Sequence, residues 1–198
     1  MCHRSQYEKE AALKTYPERA DLGHWCQEVF IGLLNTAKLK EELKYSNDEI
    51  IAAYMEATAA CLTRAEALYS AARFCRIKGI YERGYQLAVQ GLAIAHPRDG
   101  LAVEDWIYDY GLIDEFTVHA YWTARYAECV DACNRLLSEG KLPAGMRDRV
   151  LKNASSRSRV GDYQPISINC LLLLLTLWVC GQRACVVHHV HSVAARLH

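Results

Sequence analysis

The stretch from Arg64 to Pro97 constrains the fold of this 198-residue chain more than any other part, because it has the spacing of two helices joined by a tight turn. Gly79 separates two segments in which apolar or small residues recur every three or four positions. The small residues Ala72, Gly84 and Gly91 predict two antiparallel helices that approach closely, and Ala88 continues the same spacing. We expect Tyr81 to lie between these helices and Pro97 to end the second one, because proline supplies no backbone donor.

The same spacing recurs further along the chain. There, Tyr126, Cys129, Cys133 and Leu136 occupy the positions that correspond to Tyr81, Gly84, Ala88 and Gly91. Between the copies lies an aromatic insertion, Leu101–Tyr110, which lengthens the unit beyond the ~34 residues of a tetratricopeptide repeat. Each helix pair needs a neighbour to bury its open face. The sequence therefore predicts an all-α fold of antiparallel helix pairs, stacked as a short, right-handed tetratricopeptide-like solenoid.

Two apolar stripes before this region predict another helix pair. The first consists of Val29, Leu33, Leu34, Ala37 and Leu43, and the second of Ile50, Ile51, Tyr54, Ala57 and Cys61. The turn between them offers Asn47 or Asp48 as a helix N-cap. After Gly111, further helices are expected over Ile113–Thr123 and Tyr126–Leu137.

The predicted organisation is an N-terminal segment (1–20), helical repeats (21–153), a linker (154–165) and an apolar tail (166–198). In the tail, Ile166–Cys180 reaches only about fifteen residues, short of the ~20 that a spanning helix needs. We therefore expect a helix covering the end of the solenoid or a poorly ordered tail, with a tail-anchored membrane adaptor as an alternative. Exposed apolar surface at the solenoid ends also predicts self-association.

Charge and cysteine usage narrow the function classes. Lys plus Arg and Asp plus Glu each number 23, so the chain lacks the basic excess of a nucleic-acid binder. The first thirty residues lack the order of a signal peptide, which predicts a cytoplasmic protein. Nine irregularly spaced cysteines in such a chain are expected to be free, buried thiols.

Aromatic residues beside carboxylates mark the candidate binding surface. The segment Glu104–Tyr110, continuing to Asp114 and Glu115, combines rings that stack on sugars or anchor a protein partner with acceptors for hydroxyl groups. The alternative is that these aromatics pack the joint between repeats. The residues predicted to line or support a concave surface for a protein or glycan partner are Tyr81, Tyr85, Trp106, Tyr108, Tyr110, Tyr121 and Trp122.

The sequence carries no recognisable motif for catalysis or cofactor binding. The chain has no nucleophile elbow, no phosphate-binding glycine loop and no catalytic cysteine signature. The tail contains Cys180, Cys185, His188, His189 and His191, but their spacing does not fit a structural zinc site. We expect His119 to be a hydrogen-bonded core or groove residue. No cofactor and no metal are predicted.

Several short sequence segments in residues 21–153 resemble the tetratricopeptide-like region that follows the catalytic domain in a group of bacterial family 2 glycosyltransferases. They are Asp21–Val29, Arg64–Tyr69, Asp114-Glu115 with Ala120–Trp122, Leu142-Pro143 and Arg147–Val150. The resemblance implies a helical accessory region without the nucleotide-sugar-binding domain. No Asp-x-Asp motif is present, so no catalytic residue is carried over. Leu62 departs from the expected proline, and Pro165–His198 matches no part of the pattern.

The predicted function is a non-catalytic helical-repeat interaction module, an accessory or remnant region of a glycosyltransferase that binds a protein or glycan partner. The alternative is a part of a glycosyltransferase that acts with a separate nucleotide-sugar-binding domain. Whether the isolated chain binds nucleotide sugars distinguishes the two.

Overall fold

A computed structural model describes residues 9–13, 15–16 and 25–155 of the chain. Residues 25–155 form seven α-helices and one π-helical turn, with no strand among them, so the all-α prediction is confirmed. The helices are α1 (Cys26–Glu42), α2 (Asn47–Ala60), α3 (Glu66–Lys78), α4 (Tyr81–Leu92), α5 (Leu112–Trp122), α6 (Tyr126–Ser138) and α7 (Ala144–Ala154), and the π-helical turn (Ile107–Gly111) leads directly into α5. The chain divides into two units, Met1–Arg157 and Ser158–His198, and all these helices belong to the first.

Each helix packs against the next helix along the chain, and α3 also contacts α5. The larger core cluster is built from α1 to α4, and a second cluster is built from α5 to α7. All five residues of the predicted second stripe are buried: four lie on one face of α2, and Cys61 directly follows its last residue. In the first stripe only Leu34 and Ala37 are buried, whereas Phe30, which that stripe omits, is fully buried.

The start of α2 differs from the prediction by one or two residues. Ser46, not Asn47 or Asp48, is the N-cap: its hydroxyl accepts from the Glu49 backbone N–H, and the Glu49 carboxylate accepts from the Ser46 N–H. This capping box satisfies two backbone donors that a helix start otherwise leaves unpaired. The Glu49 carboxylate three positions after a serine is the signal that identifies the correct cap.

The glycines of α4 face a helix that the sequence did not predict as their partner. A Cβ on Gly84 would overlap the imidazole of His119 in α5, and a Cβ on Gly91 would lie 2.6 Å from Leu112 Cδ2. Tyr81 likewise stacks on Trp122 of α5, with ring centroids 5.2 Å apart and planes 14° apart. Gly84 and Gly91 therefore allow a close approach of α4 to α5, and Gly91 also faces α3, since its Cβ would lie 3.5 Å from Leu68 Cβ.

Pro97 does not end α4, contrary to expectation. The helix stops at Leu92, where the N–H groups of Ala93 and Ile94 turn back to the carbonyls of Gln90 and Gly91. The α3 end is as predicted, because Gly79 adopts a left-handed conformation with φ of 70°.

The aromatic insertion is partly helical. Residues 105–106 are already helical, and the π-helical turn joins them to α5, so the helix expected from Ile113 begins earlier. Gly111 lies inside this helical segment at φ −60° and ψ −48° and is not a break. The second predicted pair is otherwise found, as α5 and α6.

Candidate functional site

An open groove of about 530 Å³ lies between α1, α3 and the π-helical turn. We refer to it as the Trp106 groove. It is lined by charged and aromatic side chains from these elements and the preceding loop: Lys38, Glu41, Glu42, Tyr69, Ser70, Arg73, Glu104, Trp106 and Ile107. Its volume falls within the range of ligand sites in proteins, and it has room for a small ligand or a few side chains of a partner.

Trp106 is the main aromatic residue of the groove and is 37% exposed. Its ring meets Tyr69 edge to face, with centroids 5.0 Å apart, and lies 5.8 Å from the ring of Tyr110. The indole Nε1–H donates to Glu104 Oε2 at 3.2 Å. The neighbouring rings and this hydrogen bond orient the indole while leaving part of it accessible, which is the arrangement of an aromatic anchor.

Gly111 makes room for the indole. A Cβ at this position would lie 2.8 Å from Trp106 Cζ3 and 3.0 Å from Cε3, closer than packed atoms allow. The π-helical turn from Ile107 to Gly111 brings the two residues together by adding one residue to the helical repeat. Such turns are uncommon and often occur at functional sites.

Glu41 and Arg73 form the charged wall of the groove. Arg73 Nη2 donates to both carboxylate oxygens of Glu41, at 2.7 and 2.8 Å, and the Tyr54 hydroxyl donates to Glu41 Oε2 at 2.7 Å. Burial raises the pKa of Tyr54, and the bond to Glu41 raises it further, so the hydroxyl stays protonated and donates. These contacts hold the two opposite charges in fixed positions.

Three ion pairs connect alternate helices of the fold. Glu41–Arg73 joins α1 to α3, Arg76–Glu115 joins α3 to α5, and Asp114–Arg149 joins α5 to α7. Arg76 binds Glu115 through two parallel contacts of 2.8 and 3.0 Å, a geometry that fixes both side chains. Asp114 and Glu115 of the candidate segment are therefore buried structural partners rather than solvated acceptors.

Arg64 and Glu66 form a buried ion pair in which each side chain is only 1% exposed, and the sequence did not indicate it. Arg64 Nε and Nη2 bind the Glu66 carboxylate at 2.7–3.0 Å, and Arg64 Nη1 donates to the Leu101 carbonyl at 2.9 Å. The guanidinium also lies 4.8 Å above the Phe30 ring. Burial opposes ionisation of Glu66, but hydrogen bonds from Arg64, the backbone and Tyr108 outweigh it and lower its pKa.

This pair connects the start of α3 to the segment that leads into the groove. The Tyr108 hydroxyl donates to Glu66 Oε2 at 2.8 Å and accepts from the Ala65 N–H at 2.9 Å. Gln27 of α1 accepts from the Leu101 N–H at 2.5 Å. Residues 101–108 are thereby attached to both α1 and α3, which positions Glu104 and Trp106.

The seven predicted surface residues fall into separate groups. Trp106 lines the Trp106 groove, Tyr110 supports its ring, and Tyr108 binds Glu66. The other four lie on α4 and α5 outside the residues that line the groove. There Trp122 contacts Tyr81 and Tyr121, while Tyr85 packs on Phe116 and donates to Glu128.

His119 is fully buried and hydrogen-bonded, as expected. Its Nε2–H donates to the Ala72 carbonyl at 3.0 Å, while Nδ1 has no hydrogen-bond partner among the described residues. Burial lowers the pKa of His119, and the nearby Glu115 carboxylate and Ala72 carbonyl only partly oppose this. The neutral imidazole is therefore the native form.

This burial predicts that His119 makes stability depend on pH. At low pH the native state binds fewer protons at His119 than the unfolded state does. The free energy of unfolding is therefore highest above the unfolded pKa of ~6.5, and it falls as pH decreases through that value. From pH 7.5 to 5.5 we expect the wild type to lose up to about 1 kcal/mol more than His119→Gln. Urea denaturation at both pH values measures this, and equal losses in the two proteins would contradict it.

The cysteines only partly follow the prediction. Cys61, Cys75, Cys129 and Cys133 are free and buried, whereas Cys26 is free but exposed, because it lies at the first residue of α1. The cluster from Cys180 to His191 lies outside the described residues. Within the described part of the chain, no group of three or more Cys, His, Asp or Glu side chains is placed to hold a metal ion.

Among the described residues, no helix is both long and apolar enough to cross a membrane. A scan against protein-family models, a search of curated proteins and a search of solved structures each found no match to this chain.

Proposed function

We propose that residues 25–155 form a tetratricopeptide-like interaction module that binds a partner in the Trp106 groove. The packing order supports a repeat arrangement, since α3 contacts α4, α5 contacts α6, and α3 also contacts α5. Helices α1 and α3 and the helical segment that begins at residue 105 line the groove, and these are the first helices of the successive pairs.

The observation that carries this proposal is the combination of an accessible indole with charges of both signs in one groove. Lys38 and Arg73 are cationic, and Glu41, Glu42 and Glu104 are anionic. A polypeptide segment supplies both charge signs together with an apolar side chain for Trp106. A protein partner is therefore the primary ligand class. A glycan is the second candidate, because the aromatic faces of Trp106 and Tyr69 lie beside carboxylate acceptors.

Replacing Trp106 by alanine tests whether the partner binds in the Trp106 groove. Peptides and glycans that bind the purified chain are first selected on arrays, and their affinities are then measured by calorimetry. We expect Trp106→Ala to weaken binding of the selected ligand at least ~30-fold, since a central aromatic anchor contributes about 2 kcal/mol or more. Circular dichroism checks that the variant keeps its helices.

Trp122→Ala is the matched control. Trp122 is also an exposed indole, at 59% exposure, but it lies outside the groove. Its removal is expected to change affinity less than ~2-fold. Unchanged binding by Trp106→Ala, or a loss confined to Trp122→Ala, would contradict binding in the groove.

We also propose that the module is an accessory region of a glycosyltransferase, a proposal supported by the sequence resemblance alone. Titrating the chain with nucleotide sugars while following tryptophan fluorescence tests the catalytic alternative. The interaction-module proposal expects no saturable signal. Saturable binding would favour a direct part in sugar transfer.

A further inference from the structure

Two thiols meet at one end of the α1–α2 pair, and neither lines the Trp106 groove. Cys26 Sγ lies 3.2 Å from Cys61 Sγ. Cys26 is the first residue of α1, and Cys61 directly follows the last residue of α2. Cys26 is exposed, whereas Cys61 is only 4% exposed. A soluble oxidant can therefore reach the first sulfur but not readily the second.

The positions of the two sulfurs suit a covalent bond between separate helices. A disulfide has a sulfur–sulfur distance of 2.03–2.05 Å, so the two atoms need to approach by about 1.2 Å. Both residues lie at helix ends, where a small backbone adjustment breaks few hydrogen bonds. Cys129 and Cys133 also lie near each other, but within the single helix α6, where a bond would connect no separate elements.

We propose that Cys26 and Cys61 are a redox-modification site that forms a reversible disulfide, with Cys26 as the reactive thiol and Cys61 as the resolving thiol. With hydrogen peroxide as oxidant, the Cys26 thiolate attacks one peroxide oxygen, the O–O bond breaks, and hydroxide leaves to give a sulfenic acid. The Cys61 sulfur then attacks the Cys26 sulfur and displaces the hydroxyl as water. Overall, two thiols are oxidised and one peroxide is reduced to two waters. Two molecules of a small thiol such as glutathione reduce the Cys26–Cys61 disulfide back to two thiols and are themselves oxidised to one disulfide.

The bond would fasten the start of α1 to the turn between α2 and α3. Gln27 and Arg64, which contact the Leu101 backbone, are close in sequence to the two cysteines. Cross-linking two distant chain positions restricts the unfolded ensemble. We therefore expect the oxidised chain to melt roughly 5–15 °C above the reduced chain, and reduction by glutathione to remove the difference.

Peptide mapping of the full-length protein identifies the bond without ambiguity. Trypsin places Cys26 in peptide 20–38 and Cys61 in peptide 45–64, each with a single cysteine. After mild peroxide treatment and blocking of free thiols, we expect the cross-linked pair of these peptides as the main disulfide product. Hydrogen bonding to Cys61 raises the pKa of Cys26, so the rate of oxidation should increase as pH rises into the alkaline range.

Two serine variants complete the test. Cys26→Ser changes an exposed side chain, so it should fold normally, lose the cross-linked peptide and lose the oxidant-dependent rise in melting temperature. Cys75→Ser, at a buried thiol on α3, should still form the bond. The proposal is overturned if the oxidised wild type carries only singly modified Cys26, or if Cys26 pairs mainly with another cysteine. An equal melting shift in Cys26→Ser would also overturn it.

Discussion

Arg64→Met is expected to destabilise the protein by about 3–5 kcal/mol, because it leaves the Glu66 carboxylate buried without its cation. Glu66 is 1% exposed, and its carboxylate accepts three contacts from Arg64: two from Nε and one from Nη2. The remaining hydrogen bonds to Glu66, from the Tyr108 hydroxyl and from the backbone, cannot offset the cost of burying an ionised carboxylate. Chemical denaturation followed by circular dichroism measures the change.

The same substitution should loosen the segment before the groove, since Arg64 donates to the carbonyls of Leu101 and Ala102. Limited trypsin digestion should therefore cleave faster after Arg98 in the variant.

Two further variants distinguish the loss of stability caused by breaking the buried ion pair from the loss caused by removing any arginine charge. Arg64→Met combined with Glu66→Gln leaves no unpaired charge and keeps an acceptor for Tyr108, so it should recover roughly 2 kcal/mol of the loss. Arg135→Met removes an exposed arginine, paired with Glu139 at 2.6 Å, and should cost under about 1 kcal/mol. If Arg64→Met costs no more than Arg135→Met, the buried pair does not have the role assigned to it.

Gly84→Ala is expected to destabilise the protein by about 1–3 kcal/mol, although alanine is the better helix former. Helix propensity alone predicts a gain of ~1 kcal/mol within α4. The added methyl group would overlap the His119 imidazole, which is itself fully buried and hydrogen-bonded to Ala72. Because the ring cannot move without losing that hydrogen bond, α4 and α5 have to separate.

Gly145→Ala provides the matched control, because a Cβ at this position in α7 meets no atom within 4 Å. It should be neutral or stabilising by up to ~1 kcal/mol. In a His119→Ala background the ring is absent, and Gly84→Ala should no longer destabilise. Thermal or urea denaturation of the four variants measures these differences. A stabilising Gly84→Ala would show that α4 and α5 are not in the contact described.

The helix pattern was accessible from sequence because it depends on local spacing. The stripe from Ile50 to Cys61 predicted the buried face of α2 correctly, and Gly79 correctly marked the end of α3. Helix boundaries were less accurate where a side-chain contact decides them. Ser46 is the N-cap because Glu49 returns its hydrogen bond, and this reciprocal pair was overlooked.

The candidate site was only partly predictable. Trp106 and Tyr110 were identified from composition, and they adjoin in the structure. Tyr81 and Trp122 were placed in the same set, yet they stack on each other outside the groove lining. Composition identifies aromatic residues but carries no information about which helix each ring will face.

The sequence by itself determined the all-helical class, the approximate positions of α1 to α6, the small positions on α4 and the aromatic segment around Trp106, because each follows from neighbours within a few residues along the chain. Only the tertiary structure decided that the His119 ring packs against Gly84, that Arg64 and Glu66 are buried, and that Cys26 lies against Cys61. Helix period constrains which face is apolar but not which partner covers it. Burial of a charged pair depends on distant elements, here the Phe30 ring of α1 and the Leu101 carbonyl, closing over it.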